Sequence, residues 1–245
     1  MTRFLIHSPK FTRTPRALAA LVLNCRTKRF DRIERLSRKL ALLLPGPDGA
    51  PDIFAAYPAN LLPHILPGDQ PAYSALAHFA ALGKGAQRLE LEAAGIPTLG
   101  ATLGPVRLPP GRWLVRPNHH FGGSSMVLQD GGSISRGTYA AELMPIRKEF
   151  RTVFVHGAPL FTMFKPPADN PDAEAMFEEK WSYTRLDRCG LLEKLIEFFA
   201  IQNSSYCAVD IAWFGRRAEL PARVIELNFA PGLGPRNLET VANAL

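Results

Sequence analysis

The stretches Ala208-Val209-Asp210-Ile211-Ala212-Trp213 and Val224-Ile225-Glu226-Leu227-Asn228-Phe229-Ala230-Pro231-Gly232-Leu233 decide how this 245-residue chain is read. Each begins as a short, mostly apolar run with an acid or amide set among Val, Ile and Leu, and each is expected as a strand. Side chains alternate across a strand, so the two-residue spacing puts Glu226 and Asn228 on one face. If residues 214–221 turn the chain back, Asp210 approaches that face and three oxygen donors converge. Hard divalent cations such as Mg2+ take such donors, usually with substrate phosphates completing the shell. The plainer alternative is the polar outer face of a hairpin.

Two segments upstream carry cations next to small residues. Arg116 is followed by Pro117-Asn118-His119-His120-Phe121-Gly122-Gly123-Ser124-Ser125. A guanidinium at a strand end, then glycines and serines whose backbone N–H groups a ligand can approach, suits phosphate. The pattern is not a P-loop, which needs Gly-Lys-Ser/Thr opening a helix. Adjacent His119 and His120 point to opposite sides of an extended chain and make a poor metal pair. The other segment holds Lys84 in Gly83-Lys84-Gly85. Its plainer reading is a charge complementing a helix dipole.

Around these segments the coarse pattern is mixed. The stripe Phe30, Ile33, Leu36, Leu40 and Leu43 has helical spacing and predicts an amphipathic helix whose outer face carries the charges. Residues 45–71 are Pro-rich and predict extended connection with at most short elements. Residues 72–94 predict a helix, interrupted at 83–85 and stopped by Gly95. Residues 150–156 and 159–165 alternate around His156-Gly157-Ala158 and predict a hairpin. Residues 191–200 predict a helix, 207–214 and 223–227 strands, and 238–245 a closing helix. Short strands mixed with helices point to an α+β fold.

Charge is unevenly spread. Residues 1–45 hold eleven Lys or Arg against Asp31 and Glu34, whereas the other 200 residues hold eighteen basic and twenty acidic side chains. The pI near 9.6 therefore belongs to the N-terminal segment. Such a segment can bind nucleic acid or an acidic partner, but the apolar stripe favours a packed helix. With 47% hydrophobic and 21% charged residues, wholesale disorder is excluded. No apolar run nears the roughly 20 residues of a bilayer span, so no membrane role is expected. Residues 1–10 lack the apolar core and cleavage site of a secretory leader. Three cysteines (Cys25, Cys189, Cys207), none in a CxxC pair, argue against a disulfide scaffold or structural zinc and place the chain in the cytoplasm.

Taken in order, these pieces resemble the ATP-grasp superfamily, in its carboxylate–amine ligase branch and in the form of the short phage-type members. Gly83-Lys84-Gly85-Ala86-Gln87-Arg88-Leu89 with Ala94-Gly95-Ile96-Pro97-Thr98 is similar to the family's lysine helix and its "aGIPtp" turn. Trp113-Leu114-Val115-Arg116-Pro117 with the Gly/Ser loop looks like its phosphate-covering strand and loop. Residues 139–155 look like its hinge and "E-x-R" strand, and the two stretches quoted first look like its metal-binding strands.

The resemblance covers residues 80–245 and implies two α+β subdomains clamping ATP, preceded by a short basic pre-ATP-grasp region at 1–79. It implies a ligase that activates a carboxylate as an acyl phosphate and joins it to an amine, with ATP and Mg2+ (or Mn2+) as cofactors. By position, Asp210, Glu226 and Asn228 are the implied metal ligands. Lys84 and Arg116 are implied to contact phosphates, and Gly122, Gly123, Ser124 and Ser125 to form a lid. Glu142, Leu143 and Met144 would meet adenine, Glu149 the ribose, Lys165 (with Lys180 as a weaker choice) the nucleotide, and Arg236 and Asn237 the acceptor.

Many related ligases have Arg two residues before the metal-binding Asp, where this chain has Ala208. Arg116, Arg151 and Arg223 are therefore the cations expected at the transferring phosphoryl group. Pro145, inside the hinge, has no N–H to give adenine. The competing expectations are a degenerate ATP-grasp module that binds nucleotide or a partner without ligating, and a kinase-type transfer that forms no amide.

Overall fold

Three four-stranded sheets and two helices make up the regular structure among the described residues of the computed structural model, which are 3–7, 30–35, 40–45, 53–56, 82–118, 126–155, 157–165, 189–201, 206–215, 219, 221–228, 237, 240–241 and 244. Sheet I contains β1 (Arg3–His7), β2 (Phe30–Arg35), β3 (Leu40–Pro45) and β4 (Ile53–Ala56), in the order β2-β3-β1-β4. Helix α1 (Lys84–Ala93) follows. Sheet II, in the order β5-β8-β6-β7, holds β5 (Thr102–Leu103), β6 (Val106–Pro117), β7 (Val127–Ile134) and β8 (Thr138–Glu142). Sheet III, in the order β10-β9-β11-β12, holds β9 (Lys148–Val155), β10 (Ala158–Lys165), β11 (Tyr206–Trp213) and β12 (Ala222–Asn228), with α2 (Leu191–Ile201) between β10 and β11 in the chain. The architecture is α+β.

Sheet I overturns one expectation. Phe30, Ile33, Leu40 and Leu43 of the helical stripe lie on two antiparallel strands, β2 and β3, paired through Ile33↔Leu43 and Glu34↔Leu42, and Leu36 lies outside the described residues. The reason is visible in residues 40–44, five apolar residues in a row. A one-faced helix would interrupt such a run with polar residues, whereas a strand covered on both faces of its sheet need not. Strand β3 is interior, between β2 and β1. The predicted closing helix at 238–245 and the helical stretch 72–81 lie largely outside the described residues.

Sheet III matches the expected pattern closely. Strands β9 and β10 form the hairpin around Gly157, and β11 lies between β9 and β12. Its core face carries Phe150, Phe154, Cys207, Val209, Ile211, Trp213, Ala222, Val224 and Leu227. Helix α2 covers that face with Leu191, Leu192, Leu195, Phe198 and Phe199, one stripe of a 3.6-residue helix. The Phe154 and Phe199 rings meet at 4.9 Å. Each such apolar side chain contributes about 1.5–3 kcal/mol on burial.

The register of β12 contains one irregularity that the site depends on. Asp210 stands opposite Glu226 and Ile211 opposite Val224, so Ile225 is an extra residue, a β-bulge. The bulge shifts the alternation by one. Ala222 and Val224 before it, and Leu227 after it, all enter the core, while Arg223, Glu226 and Asn228 share the other face.

Helix α1 begins where the sequence suggested an interruption. Gly83 is its N-cap, and Lys84 N–H donates to Asn118 O at 2.7 Å, directly after β6. Gly85 lies so close to sheet II that an added Cβ would stand 2.7 Å from Tyr139 Cβ and from Leu103 Cδ2. At the other end Gly95, with φ +76, ends the helix in the left-handed conformation. Alanine is the better helix former by about 1 kcal/mol, but here the contact decides. Gly85→Ala is expected to destabilise the chain by about 1–3 kcal/mol through overpacking. Urea unfolding measures this, and an unchanged or raised midpoint would contradict the close packing of α1 on Tyr139.

Candidate active site

The face of sheet III turned away from the core concentrates polar side chains. Arg151 of β9 stands opposite Asp210 of β11, which stands opposite Glu226 of β12. Glu149 and Arg223 flank this row, both opposite Ala212, and Asn228 stands opposite Ala208. Small Ala208 and Ala212 on either side of Asp210 leave space above the strand. Arg151 grips Asp210 with two bonds, Nε to Oδ1 at 2.6 Å and Nη2 to Oδ2 at 2.8 Å. Burial opposes the charge on Arg151, but the hydrogen bonds and attraction of Asp210, helped by Glu226 and Glu149, raise its pKa above the usual value. The amide of Asn228 donates to Glu226 Oε1 at 3.4 Å.

Helix α1 supplies the edge of β12. Lys84 Nζ donates to Leu227 O, and Arg88 Nε donates to Ile225 O at 2.7 Å, with Arg88 Nη1 reaching Gly100 O at 3.0 Å. Val224 completes the edge by pairing with Pro97 and Leu99. Lys84 is the first residue of the helix, so its charge opposes the macrodipole and the dipole-complement reading does not hold. Burial lowers its pKa. Glu226 and Asp210 resist that shift, while Arg116 and Arg151 add to it.

Sheet II contributes Arg116 and Tyr139, which are opposite one another in β6 and β8. Both are buried, and burial first of all raises the Tyr139 pKa while Arg88 and Arg116 pull it down. The Arg88 guanidinium carbon lies 5.2 Å from the Tyr139 ring centre. Lys84, Arg88, Arg116 and Arg151 thus gather around Asp210 and Glu226, with Glu92 acting on Arg88 and Glu149 on Arg151 from the margins. Four cations converging at a partly buried place are chemically suited to a polyanion.

Between sheets II and III the chain runs through residues 143–147. Leu143 N–H donates to Arg112 O and Arg147 N–H to Trp213 O, both at 2.9 Å. A cavity of about 550 Å³ lies beside this connection, lined by Met144, Pro145, Ile146, Arg147, Phe214, Glu219 and Arg223. Arg223 Nη1 approaches Met144 Sδ at 3.6 Å, and its guanidinium lies 5.9 Å from the centre of the Phe214 ring.

Solved structures share the fold. A RimK domain ATP-grasp protein from Sphaerobacter thermophilus DSM 20745 superposes at a TM-score of 0.50, with 11% identity over 97% of this chain and 96% of that one. The fold is the ATP-grasp fold. The ATP-grasp ligase PsnB, solved with a minimal precursor, superposes at 0.50 with 13% identity over 91% of this chain and 88% of its own. A D-alanine–D-alanine ligase from Bacillus anthracis gives 0.45 and 13%, and this chain spans 61% of its length. No protein-family model and no curated protein matches the sequence.

Within the ATP-grasp fold, the residues singled out in the sequence divide into three groups. Asp210, Glu226, Asn228, Arg151, Glu149 and Arg223 come together on one face, with Lys84 and Arg116 beside them. Glu142 is exposed at the end of β8, and Leu143 N–H is already bonded to Arg112, which leaves the hinge contact to its neighbours. Lys165 stands opposite Glu149 in register, and Asn237 Nδ2 donates to Met163 Sδ at 3.0 Å, next to the site face. Gly122, Gly123, Ser124, Ser125, Lys180 and Arg236 lie outside the described residues.

Sequence reasoning assigned Arg88, Tyr139 and Asn118 no place of their own in the site. The signal for Arg88 was its spacing of four from Lys84, which stacks both on one side of α1. Among the described residues no three His, Cys, Asp or Glu side chains cluster, and it is the amide Asn228 that completes the oxygen set. No helix among the described residues is long and apolar enough to cross a membrane.

The lowered pKa of Lys84 makes two opposite predictions. Unfolded, the amine titrates near 10.5, so just below that pH the unfolded chain holds more protons than the folded one. Stability should therefore gain in that window as pH rises, relative to Lys84→Met. Affinity for inorganic triphosphate should fall over the same window as the charge is lost. Urea unfolding and isothermal calorimetry across the alkaline range test both. Parallel pH slopes for the two proteins would contradict the burial of a charged Lys84.

Proposed function

We propose that this chain is an ATP-dependent carboxylate–amine ligase working through an acyl phosphate. The observation that supports the reading is the pairing of an oxygen-donor row, Asp210, Glu226 and Asn228, with the cations Lys84, Arg88, Arg116 and Arg151 gathered around it. Carboxylates are poor electrophiles. Attack of a substrate carboxylate oxygen on the γ-phosphorus of ATP releases ADP and makes phosphate the leaving group. An amine then attacks the acyl carbon, the C–O bond breaks, and phosphate departs with an amide formed. For such chemistry a protein chiefly positions reactants and offsets charge.

The residue roles in this reading are those the ATP-grasp resemblance implies. Lys84 on α1 and Arg116 on sheet II hold phosphate oxygens, and Gly122, Gly123, Ser124 and Ser125 cover them. Met144 and its neighbours, with the cavity at Arg223 and Phe214, receive the adenine. Glu149 meets the ribose and Lys165 the nucleotide. Arg151, the cation opposite Asp210, faces the transferring group. Arg236 and Asn237 hold the acceptor. Two carboxylates and a carboxamide fit a hard divalent cation rather than a soft one. Asp210, Glu226 and Asn228 would hold Mg2+, which when bound would neutralise charge on the phosphate oxygens. Residues 80–245 form the ATP-grasp unit and 1–79 the region before it. PsnB was solved in complex with a minimal precursor, and a peptide is the acceptor class we favour for this chain.

One observation favours a module that binds nucleotide without ligating. Both oxygens of Asp210 are held by Arg151. Mg2+-dependent release of ADP, assayed over a panel of amino acids and peptides with mass analysis of products, separates the two. Stimulation by an amine with formation of an amide supports the ligase, and nucleotide binding without stimulation sinks it. Glu226→Gln and Asn228→Ala are expected to lower Mg2+-dependent turnover by more than the roughly 10–100-fold that loss of a metal ligand's outer partner costs, while leaving the unfolding midpoint nearly unchanged. Wild-type rates in either variant would remove the metal assignment.

A further inference from the structure

The bulge at Ile225 determines which side chains of β12 reach the site. Without that extra residue, strict alternation would put Arg223 and Glu226 on opposite faces, because they are three apart. With it, Val224 and Leu227 both enter the core and Arg223, Glu226 and Asn228 face the site. A bulge leaves its extra residue unpaired in the ladder, and that residue's backbone groups need partners elsewhere. Here Ile225 O receives Arg88 Nε at 2.7 Å.

Arg88 is an expensive choice for this task. It is 1% exposed, and a guanidinium taken out of water loses solvation that a single carbonyl does not replace. An apolar side chain would fill the same space between α1 and the strand. What the guanidinium adds is direction. Its planar fork bonds Ile225 O on one side and Gly100 O on the other, while its face rests on Tyr139 of sheet II. Tyr139 in turn stands opposite Arg116 in sheet II. One buried side chain thus contacts the bulge of the acid-bearing strand and the ring that is the register partner of Arg116.

We propose that Arg88 is a positioning residue that locks the Ile225 bulge and so presents Glu226 and Asn228 together as cation ligands. The proposal rests on the reading of Asp210, Glu226 and Asn228 as a divalent-cation site. It concerns the register of β12 and not contact with any reactant.

The test uses the full chain and Mn2+ alone, with free Mn2+ followed by electron paramagnetic resonance. Arg88→Met is expected to weaken Mn2+ binding by roughly 10-fold or more, as the loss of an outer partner of metal ligands does. Leu91→Ala, one turn along α1 and facing the core, serves as the stability control. It should lower the unfolding midpoint and leave Mn2+ affinity unchanged. Arg88→Gln, which keeps one amide donor, should give a smaller loss than Met and provides the test if the Met variant does not fold. Wild-type Mn2+ affinity in a folded Arg88→Met or Arg88→Gln variant overturns the proposal. So does a loss in Leu91→Ala that matches its loss of stability, because Arg88 would then act only through stability. Glu226→Gln distinguishes the two levels. If it binds Mn2+ as tightly as wild type, the cation-site reading itself fails. If it loses binding while the Arg88 variants do not, only the positioning role fails.

Discussion

Two cationic side chains one helical turn apart, Lys84 and Arg88, donate to the carbonyl edge of β12, and most of the candidate site hangs on that contact. Strand β12 is the outermost strand of its sheet. An edge strand normally exposes a row of backbone groups with no partner in its own sheet. Here Val224 pairs with Pro97 and Leu99, and the two cations take carbonyls on either side of Glu226. The strand is thereby fixed in register against β11, and the oxygen donors with it. The same helix presses Gly85 against Tyr139 and Leu103 of sheet II. The relation between the two sheets is set where α1 touches both.

The electrostatic consequence is a crowding of cations around one row of oxygen donors. Arg151 and Asp210 satisfy each other bidentately. Lys84 and Arg88 both feel Glu226, with Glu92 adding to its attraction at Arg88, and Arg116 repels them both. Buried cations held close together are costly. A polyphosphate with its counter-cation would relieve that cost, which is why the charge arrangement and the oxygen row point to the same class of ligand.

How far the sequence disclosed this depends on which residues are asked about. Sheet III was legible because its strands alternate cleanly and its helix carries one apolar stripe. That Asp210 approaches the face of Glu226 followed from a hairpin, while its place directly opposite Glu226 came with the register. The bulge was not legible. Arg223, three residues from Glu226, belongs by simple alternation to the other face, and only the non-local pairing with β11 shows the extra residue. Sheet I failed for a related reason. Between Phe30 and Leu43 the spacing of three and four fits a helical period, with the run 40–44 as the one local sign against it, and β1, a segment some forty residues away, pairs in register with Leu42 and Leu43. Arg88 stayed invisible because a buried arginine bonded to backbone has no partner residue type to mark it.

The turn of α1 from Lys84 to Arg88 also acts as a ruler. Each residue of an α-helix advances about 1.5 Å and rotates the side chain by about 100°. The two donors meet carbonyls two residues apart on a bulged strand, so their spacing is matched to that strand's rise and not to any local need of the helix. Substitutions along the outer face of α1, at Glu90 or Ala93, leave the match intact. A single inserted or deleted residue between 84 and 88 would instead turn one donor away from the edge, and no change of side-chain type would restore it. In a lineage of such chains, length between these two positions would drift far less than residue identity around them.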